Sequence, residues 1–281
     1  MPSTVLSAVL RPLARIAPGR AGFRPWLAGG LILALPAAGA AQVNIEKQRE
    51  DDEERGFATT AAVDLSVRTG NTDVTEFTGE IRTDLVRDGA SGFLLGRGGL
   101  GWKDGDRFSD SALLHLRTGV PLRPSWEMET FGQIDYDKER KLDFRAIAGI
   151  GPRFFLEHDE SFSLAVGTAY MREHERYDLD EIYRTEPARS HHPRDLDVSR
   201  WSNYLSLSTH ADRVKTSWIV YAQPRLDRFD DVRILSEASV SVAVSGKVDL
   251  RNLLRVRWDS EPPDGIEDTD VELTTGIAVR L

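Results

Sequence analysis

The fold is decided by residues 142–156, LDFRAIAGIGPRFFL, whose side chains alternate in character over more residues than a soluble strand usually has. One set of alternate positions is apolar: Leu142, Phe144, Ala146, Ala148, Ile150, Pro152, Phe154 and Leu156. The other set is polar or small: Asp143, Arg145, Gly149, Gly151 and Arg153. One face suits lipid and the other suits water. The segment therefore predicts a membrane-spanning β-strand, which needs about 9–11 residues.

Similar alternation recurs from residue 57 to the C-terminus. It predicts strands at 57–69, 74–86, 92–102, 107–119, 125–137, 142–156, 161–173, 198–209, 214–227, 233–244, 247–259 and 269–281. An even number of strands returns the chain to the side on which it started, as in bacterial single-chain barrels. We expect an all-β fold over residues 57–281, a transmembrane antiparallel up-and-down β-barrel of about twelve strands. Connections after the even-numbered strands are short and should be periplasmic, while the long connection 173–197 should be external.

The N-terminal segment predicts export. Arginines precede an apolar run at 26–35, which ends in Pro36 and the small residues Ala38, Gly39 and Ala40. This order is typical of a secretory signal peptide, and the run of about ten residues is shorter than the roughly 20 that a membrane-spanning helix needs. We expect residues 1–40 to be a cleaved signal peptide and the protein to reside in the outer membrane. The acidic stretch 41–56 should be a hydrated periplasmic lead-in.

Composition excludes several classes of protein. The chain has no cysteine, so neither a disulfide scaffold nor thiolate chemistry is available. Its formal net charge of −9 argues against nucleic acid as a partner, because nucleic-acid binding requires a basic surface. The main structural alternative is a soluble sandwich or lipocalin-like barrel. We favour the membrane barrel because a soluble barrel turns its apolar face inward and seldom needs strands this long.

The last strand resembles the C-terminal assembly signal of outer-membrane barrels. Gly276 is followed by apolar residues at Val279 and Leu281, although the usual terminal aromatic residue is replaced by leucine. The resemblance implies recognition by the barrel-assembly machinery, and outer-membrane lipid and lipopolysaccharide as surroundings. A Gly-Asn-Thr-Asp turn at 70–73, with the repeated long hairpins, is similar to the salt-induced outer-membrane protein family, whose function is unknown. That family implies no catalytic residues.

Charged residues at lumen-facing positions are the candidate functional residues. The fifth strand presents only acids inward, namely Glu127, Glu129, Asp135 and Asp137, whereas the eleventh presents mainly bases, namely Lys247, Arg251, Arg255 and Arg257. In a twelve-stranded ring these strands are opposite each other. The opposed charges could orient a small polar solute in a narrow channel. Alternatively, neighbouring strands could pair the charges into ion networks that plug the lumen.

Two further functional classes stay open. A lipid or lipopolysaccharide hydrolase would need a serine and a histidine within hydrogen-bond distance, and the lumen-facing His115 is the histidine best placed for this. A closed structural or adhesive barrel would act through its long external loop. Neither a cofactor motif nor a convincing metal site is present, since adjacent His191 and His192 in a charged loop are a weak signal. We predict no enzymatic activity.

Overall fold

The computed structural model describes residues 56–68, 74–159, 161–185 and 192–281. Twelve strands lie in these ranges: β1 (Gly56–Arg68), β2 (Val74–Arg87), β3 (Ala90–Lys103), β4 (Asp106–Arg123), β5 (Trp126–Asp137), β6 (Leu142–His158), β7 (Phe162–Tyr177), β8 (Asp195–Ala211), β9 (Val214–Pro224), β10 (Val232–Ala243), β11 (Val248–Asp259) and β12 (Thr269–Arg280). One short helix, α1 (Asp180–Thr185), follows β7. The predicted signal peptide, nearly all of the acidic lead-in and the turn at 69–73 lie outside the described residues.

The strands form one closed barrel in which each strand pairs antiparallel with its sequence neighbours. β12 closes the ring against β1, with Val63 opposite Ile277 and Asp64 opposite Gly276. This confirms the predicted twelve-stranded all-β fold. Closure leaves no unpaired strand edge, which a barrel in a membrane requires.

The tightest turns follow from local sequence. Asp88 and Gly89 have positive φ angles of 53° and 82°, and Asp104 and Gly105 have φ angles of 50° and 91°. Two consecutive residues of positive φ define the turn that matches the twist of paired strands, and Asp-Gly is a favoured sequence for it. The rim with the turns after the even-numbered strands is called the short-turn rim, and the opposite one the long-loop rim.

Apolar and charged residues are distributed as in a transmembrane barrel. Large apolar side chains on the outer wall are exposed, among them Leu65, Ile81, Leu114, Ile150 and Leu273. The inner wall is charged, and Arg82, Arg200 and Arg255 are among its fully buried side chains. A soluble barrel would show the reverse distribution.

Segment 142–156 departs from its predicted faces at one end. The register shifts between Leu142 and Phe144, which indicates a β-bulge. Leu142 is therefore buried and Asp143 is exposed, so the prediction that Leu142 faces lipid and Asp143 faces water was wrong. Beyond the bulge, Phe144, Ile150, Phe154 and Leu156 are exposed on the outer wall as predicted.

The long-loop rim carries most of the structure outside the strands. The β7–β8 connection contains α1, and Leu179 there packs with Leu142 and Tyr177 in a buried cluster. The backbone N–H of His192 donates to Asp264 Oδ2 at 3.0 Å, which links this connection to the β11–β12 loop. No helix among the described residues is long and apolar enough to cross a membrane.

Candidate functional site

The acidic residues of β5 lie on the inner wall and contact the strands on either side. Glu127, Glu129, Asp135 and Asp137 are all buried. Glu129 accepts a hydrogen bond from Arg117 of β4 at 3.0 Å and lies 3.8 Å from Arg153 of β6. Glu127 also lies 3.8 Å from Arg153. Local arginines therefore partly neutralise this acidic strand.

The other two acids of β5 are engaged near the strand's end. Asp135 accepts a hydrogen bond from Gln133 at 2.7 Å and lies opposite Arg145 in the register of β5 and β6. Asp137 accepts from the backbone N–H groups of Glu139 and Arg140, at 3.1 and 3.3 Å. Asp137 thereby fixes the turn between β5 and β6.

The basic residues of β11 are also paired locally. Arg255 donates to Glu237 of β10 and to Glu272 of β12, the latter at 2.6 Å. Arg257 lies 3.7 Å from Glu272. The prediction that Lys247 faces the lumen was wrong, because Lys247 lies exposed in the turn that precedes β11.

Several contacts cross the lumen between strands that are not neighbours. Tyr204 of β8 donates to Glu129 of β5 at 2.6 Å. Arg233 of β10 donates two hydrogen bonds to Glu175 of β7, at 2.8 and 3.0 Å. Each of these contacts joins strands three positions apart in the ring. The interior is consequently bridged by side chains.

The most enclosed group of charges is centred on β7. We call it the β7 network: Arg145, Glu173, Glu175, Arg200 and Arg233. Its central carboxylate belongs to Glu173. One oxygen of Glu173 accepts hydrogen bonds from Arg145 at 2.7 Å and from Arg233 at 3.0 Å, and the other oxygen accepts one from Arg200 at 2.7 Å. Both glutamates have zero exposure. Three arginines on one carboxylate make Glu173 the central member of this network.

Sequence reasoning missed the β7 network because the predicted β7 stopped at residue 173. The strand continues to Tyr177, with Glu173 and Glu175 inward and Arg172, His174 and Arg176 outward. Both faces are charged there, so the contrast between apolar and polar positions disappears. In this part of β7 the side chains alternate between buried and exposed, but charged residues occupy both faces, so only the structure shows which of them point inward.

A second group lies where the barrel closes. We call it the seam network: Asp64, Glu80, Arg97, Arg251, Arg255 and Glu272. Arg251 of β11 reaches Glu80 of β2 at 3.2 Å and lies 3.8 Å from Asp64 of β1, so it too spans three strand positions. A cavity of about 80 Å³ adjoins this network, and Ser109 and Ser111 also line it.

The predicted assembly residues lie at the same seam. A Cβ atom on Gly276 would sit 1.5 Å from Asp64 Oδ1, so any other residue here would require that carboxylate to move. Val279 pairs with Ala61 of β1, and the N–H of Leu281 donates to the carbonyl of Thr59 at 3.0 Å. Whether the assembly machinery recognises these residues stays a prediction.

The described histidines do not form a recognisable catalytic centre. His115 contacts Gln133 at 3.0 Å and stacks on Phe93. His158 lies 3.3 Å from the Ser163 hydroxyl near the short-turn rim, where His158 is exposed and Ser163 is half-buried. His191 lies outside the described residues. Among the described residues, no group of three or more histidine or acidic side chains is arranged to hold a metal.

Three solved structures are similar in outline to this barrel. The NanC porin has a TM-score of 0.49 at 5% identity, covering 80% of this chain and 100% of that one. The KdgM porin in complex with disordered oligogalacturonate has a TM-score of 0.44 at 6% identity, with 80% and 98% covered. The translocator domain of autotransporter NalP from Neisseria meningitidis has a TM-score of 0.43 at 10% identity, with 83% and 91% covered.

Sequence comparison gives two findings. No curated protein matches the chain significantly. A family model, described as protein of unknown function, DUF481, matches residues 61–280, from the first strand to the last. Because that match spans most of the chain, the protein belongs to the DUF481 family.

Proposed function

We propose that this protein is an outer-membrane β-barrel whose lumen is closed at rest by ion pairs and opens beside the seam network to pass small polar solutes. The observation that carries the proposal is the set of contacts across the lumen: Glu129 with Tyr204, Arg233 with Glu175, and Arg251 with Glu80. Each of these bridges spans a quarter of the twelve-stranded ring, so together they narrow the lumen from several sides. The apolar outer wall supports the membrane location.

The local pairing of charges favours a plug over an open pore with a transverse field. Acids on β5 are held by Arg117 and Arg153, and bases on β11 are held by Glu237 and Glu272. Opposite charges this close together contribute little field across the lumen, because each pair is close to neutral from afar. We therefore assign these residues to closure, and leave the solute at the level of its class.

Opening should be easiest beside the cavity. There, removing Arg251 and Glu80 together would enlarge existing space, and it would also take away the contacts of Arg97 with Glu80 and of Asp64 with Arg251, which loosens the network further. The matched lesion in the β7 network is Arg233 with Glu175, which are also a buried ion pair. That lesion leaves Glu173 with Arg145 and Arg200.

Swelling of proteoliposomes in small sugars and amino acids tests the proposal. We expect no solute entry with the wild type, entry with the Glu80→Ala/Arg251→Ala variant, and little entry with the Glu175→Ala/Arg233→Ala variant. Circular dichroism should verify that each variant retains its strands. If both folded variants exclude every solute, a closed structural or adhesive barrel replaces the gated channel.

We propose no enzymatic activity. Hydrolysis of lipid or lipopolysaccharide by the pure protein, abolished in a Ser163→Ala variant, would contradict this. Export with cleavage after Ala40, recognition of the C-terminal strand by the assembly machinery, and induction by salt also stay proposals. N-terminal sequencing of the protein from outer-membrane fractions would test the cleavage site. The amount of protein in fractions from cells grown at low and high salt would test induction.

A further inference from the structure

A groove crosses the outer wall where the pairing of β6 with β7 is interrupted. The register runs through Ile150 opposite Tyr170 and resumes at Arg153 opposite Gly167. Proline at position 152 has no N–H to donate, which accounts for part of the interruption. The resulting cavity has a volume of about 360 Å³, and its lining includes Ile150, Pro152, Thr168, Tyr170, Trp201 and Leu226.

Side-chain hydrogen bonds fix the walls of this groove. The indole N–H of Trp201 donates to Thr168 Oγ1 at 2.6 Å, and the Thr168 hydroxyl donates to Asn203 Oδ1 at 2.8 Å. The hydroxyls of Tyr170 and Ser199 lie 2.8 Å apart. Both aromatic rings are thus held in place while about half of each side chain stays exposed. The groove is preformed and mainly apolar.

A positively charged side chain, that of Arg172, lies next to the groove on the side of the long-loop rim. Arg172 follows Tyr170 on the outer face of β7, between Ala148 of β6 and Ser199 of β8. Its side chain is 55% exposed, its Nη1 donates to Ser199 Oγ at 3.3 Å, and Asp197 lies 3.8 Å away. His174 and Arg176 lie further out and are closer to acids, at 3.2 Å from Asp197 and 3.0 Å from Asp195.

The position of Arg172 along β7 matches the headgroup level of a bilayer. β7 begins at Phe162, so about ten residues separate the short-turn rim from Arg172. A tilted strand of about 9–11 residues crosses the hydrocarbon region. An arginine on the lipid face is costly at the bilayer midplane, but the cost nearly disappears close to an interface. The groove therefore lies in the acyl region, with Arg172 at its border.

We propose that this groove binds one acyl chain of a lipopolysaccharide molecule, with a lipid A phosphate on the Arg172 guanidinium. The proposal rests on the outer-membrane location proposed above, in which the long-loop rim faces the external leaflet, but it is independent of whether the lumen conducts. An apolar groove suits a chain, and an arginine at the interface suits a phosphate, which it can bind through two hydrogen bonds. Trp201 and Tyr170 suit the boundary between the acyl chains and the headgroups, where amphipathic aromatic rings are favoured.

Native mass spectrometry of the full mature protein, titrated with purified lipid A in detergent, tests the proposal. We expect one lipid A per barrel in the wild type. Arg172→Gln should weaken binding about tenfold, as loss of one charge-assisted contact does. Arg176→Gln, on the same strand and face, is the matched control and should bind as the wild type does.

A second pair of variants tests the groove itself. Leu226→Trp should fill the groove and abolish stoichiometric binding, whereas Leu273→Trp, on the outer wall of β12, should not. Unchanged binding in both Arg172→Gln and Leu226→Trp would overturn the site. Equal affinity for phosphatidylglycerol would overturn the assignment to lipopolysaccharide. Neither result would affect the solute-entry assay, so a failure here is distinguishable from failure of the gated channel.

Discussion

The β7 network and the seam network are both buried groups of arginines and carboxylates, but they differ in how completely they are enclosed. In the β7 network, Glu173 and Glu175 have zero exposure. In the seam network, the side chains of Arg97 and Glu272 keep 13% and 17% exposure, and a cavity of about 80 Å³ lies alongside. The same chemistry thus serves as packing on one side of the barrel and borders open space on the other.

The difference follows from what covers each network. Arg233 lies 3.5 Å from the Tyr177 hydroxyl. Tyr177 packs with Leu142 of β6 and with Leu179 of the β7–β8 connection. On the side of the seam cavity formed by β3 and β4, these strands are joined only by the tight turn at Asp104 and Gly105. A buried ion pair is tolerated where several partners surround it, whereas one beside a cavity can separate more easily. We therefore expect the proposed plug to be weakest at the seam.

The largest expected effect is on the β7 network. Glu173→Gln should lower the free energy of unfolding by about 3–5 kcal/mol, because three buried arginines lose the carboxylate they share and each keeps only its other acidic contacts. Glu272→Gln is the control and should cost less, since Glu272 contacts two arginines, Arg255 and Arg257, and is partly exposed. Urea titration of both variants in lipid vesicles measures the difference. Equal losses would mean that the two networks are equally enclosed.

A smaller effect is expected where the barrel closes. Gly276→Ala should destabilise by about 1–3 kcal/mol, because the new methyl group would collide with the Asp64 carboxylate and strain the contact between β1 and β12. Gly96→Ala is the matched control, since nothing lies within 4 Å of a Cβ atom built there. The same vesicle titration applies. A Gly276→Ala variant as stable as Gly96→Ala would remove the steric role of this glycine.

The smallest effect concerns Asp231, in the loop after β9. Burial raises the pKa of this carboxyl, but Arg200, which donates to it at 3.0 Å, and other arginines outweigh burial and hold the pKa below its ordinary value. A lowered pKa in the folded state contributes stability that is present above about pH 4 and is lost as the pH falls through the lowered pKa. Asp231→Asn should therefore be less stable than the wild type at pH 7, and the gap should shrink below pH 4. A gap independent of pH would contradict this.

Periodic sequence could predict the fold because polarity and exposure follow the same two-residue period in most strands. Twelve strands were predicted and twelve are present among the described residues. The prediction failed where that agreement breaks. A bulge reverses the faces at Leu142, and β7 is charged on both faces beyond Met171. Asn203 and Asn252, two polar residues on the outer face of the barrel, each accept a hydrogen bond from a threonine on an adjacent strand.

The candidate site could be predicted only in part. Alternation places Glu129 and Arg251 on the inner wall, but it does not determine their partners. Those partners depend on barrel closure and on which strands lie three positions apart, as with Glu129 and Tyr204. Such pairs have no signature in local sequence. Choosing between an opposed-charge pore and an ion-paired plug therefore needed side-chain positions.

Single-channel recording of the refolded wild-type protein in planar bilayers tests the closed lumen most directly. We predict almost no steady conductance, at both 0.1 M and 1 M salt, because buried ion pairs are screened far less than exposed ones. A Glu80→Ala/Arg251→Ala variant recorded in parallel should conduct. Steady ohmic conductance in the wild type, with ion selectivity that changes when Glu129 and Asp135 are neutralised, would contradict the closed lumen and restore the opposed-charge pore.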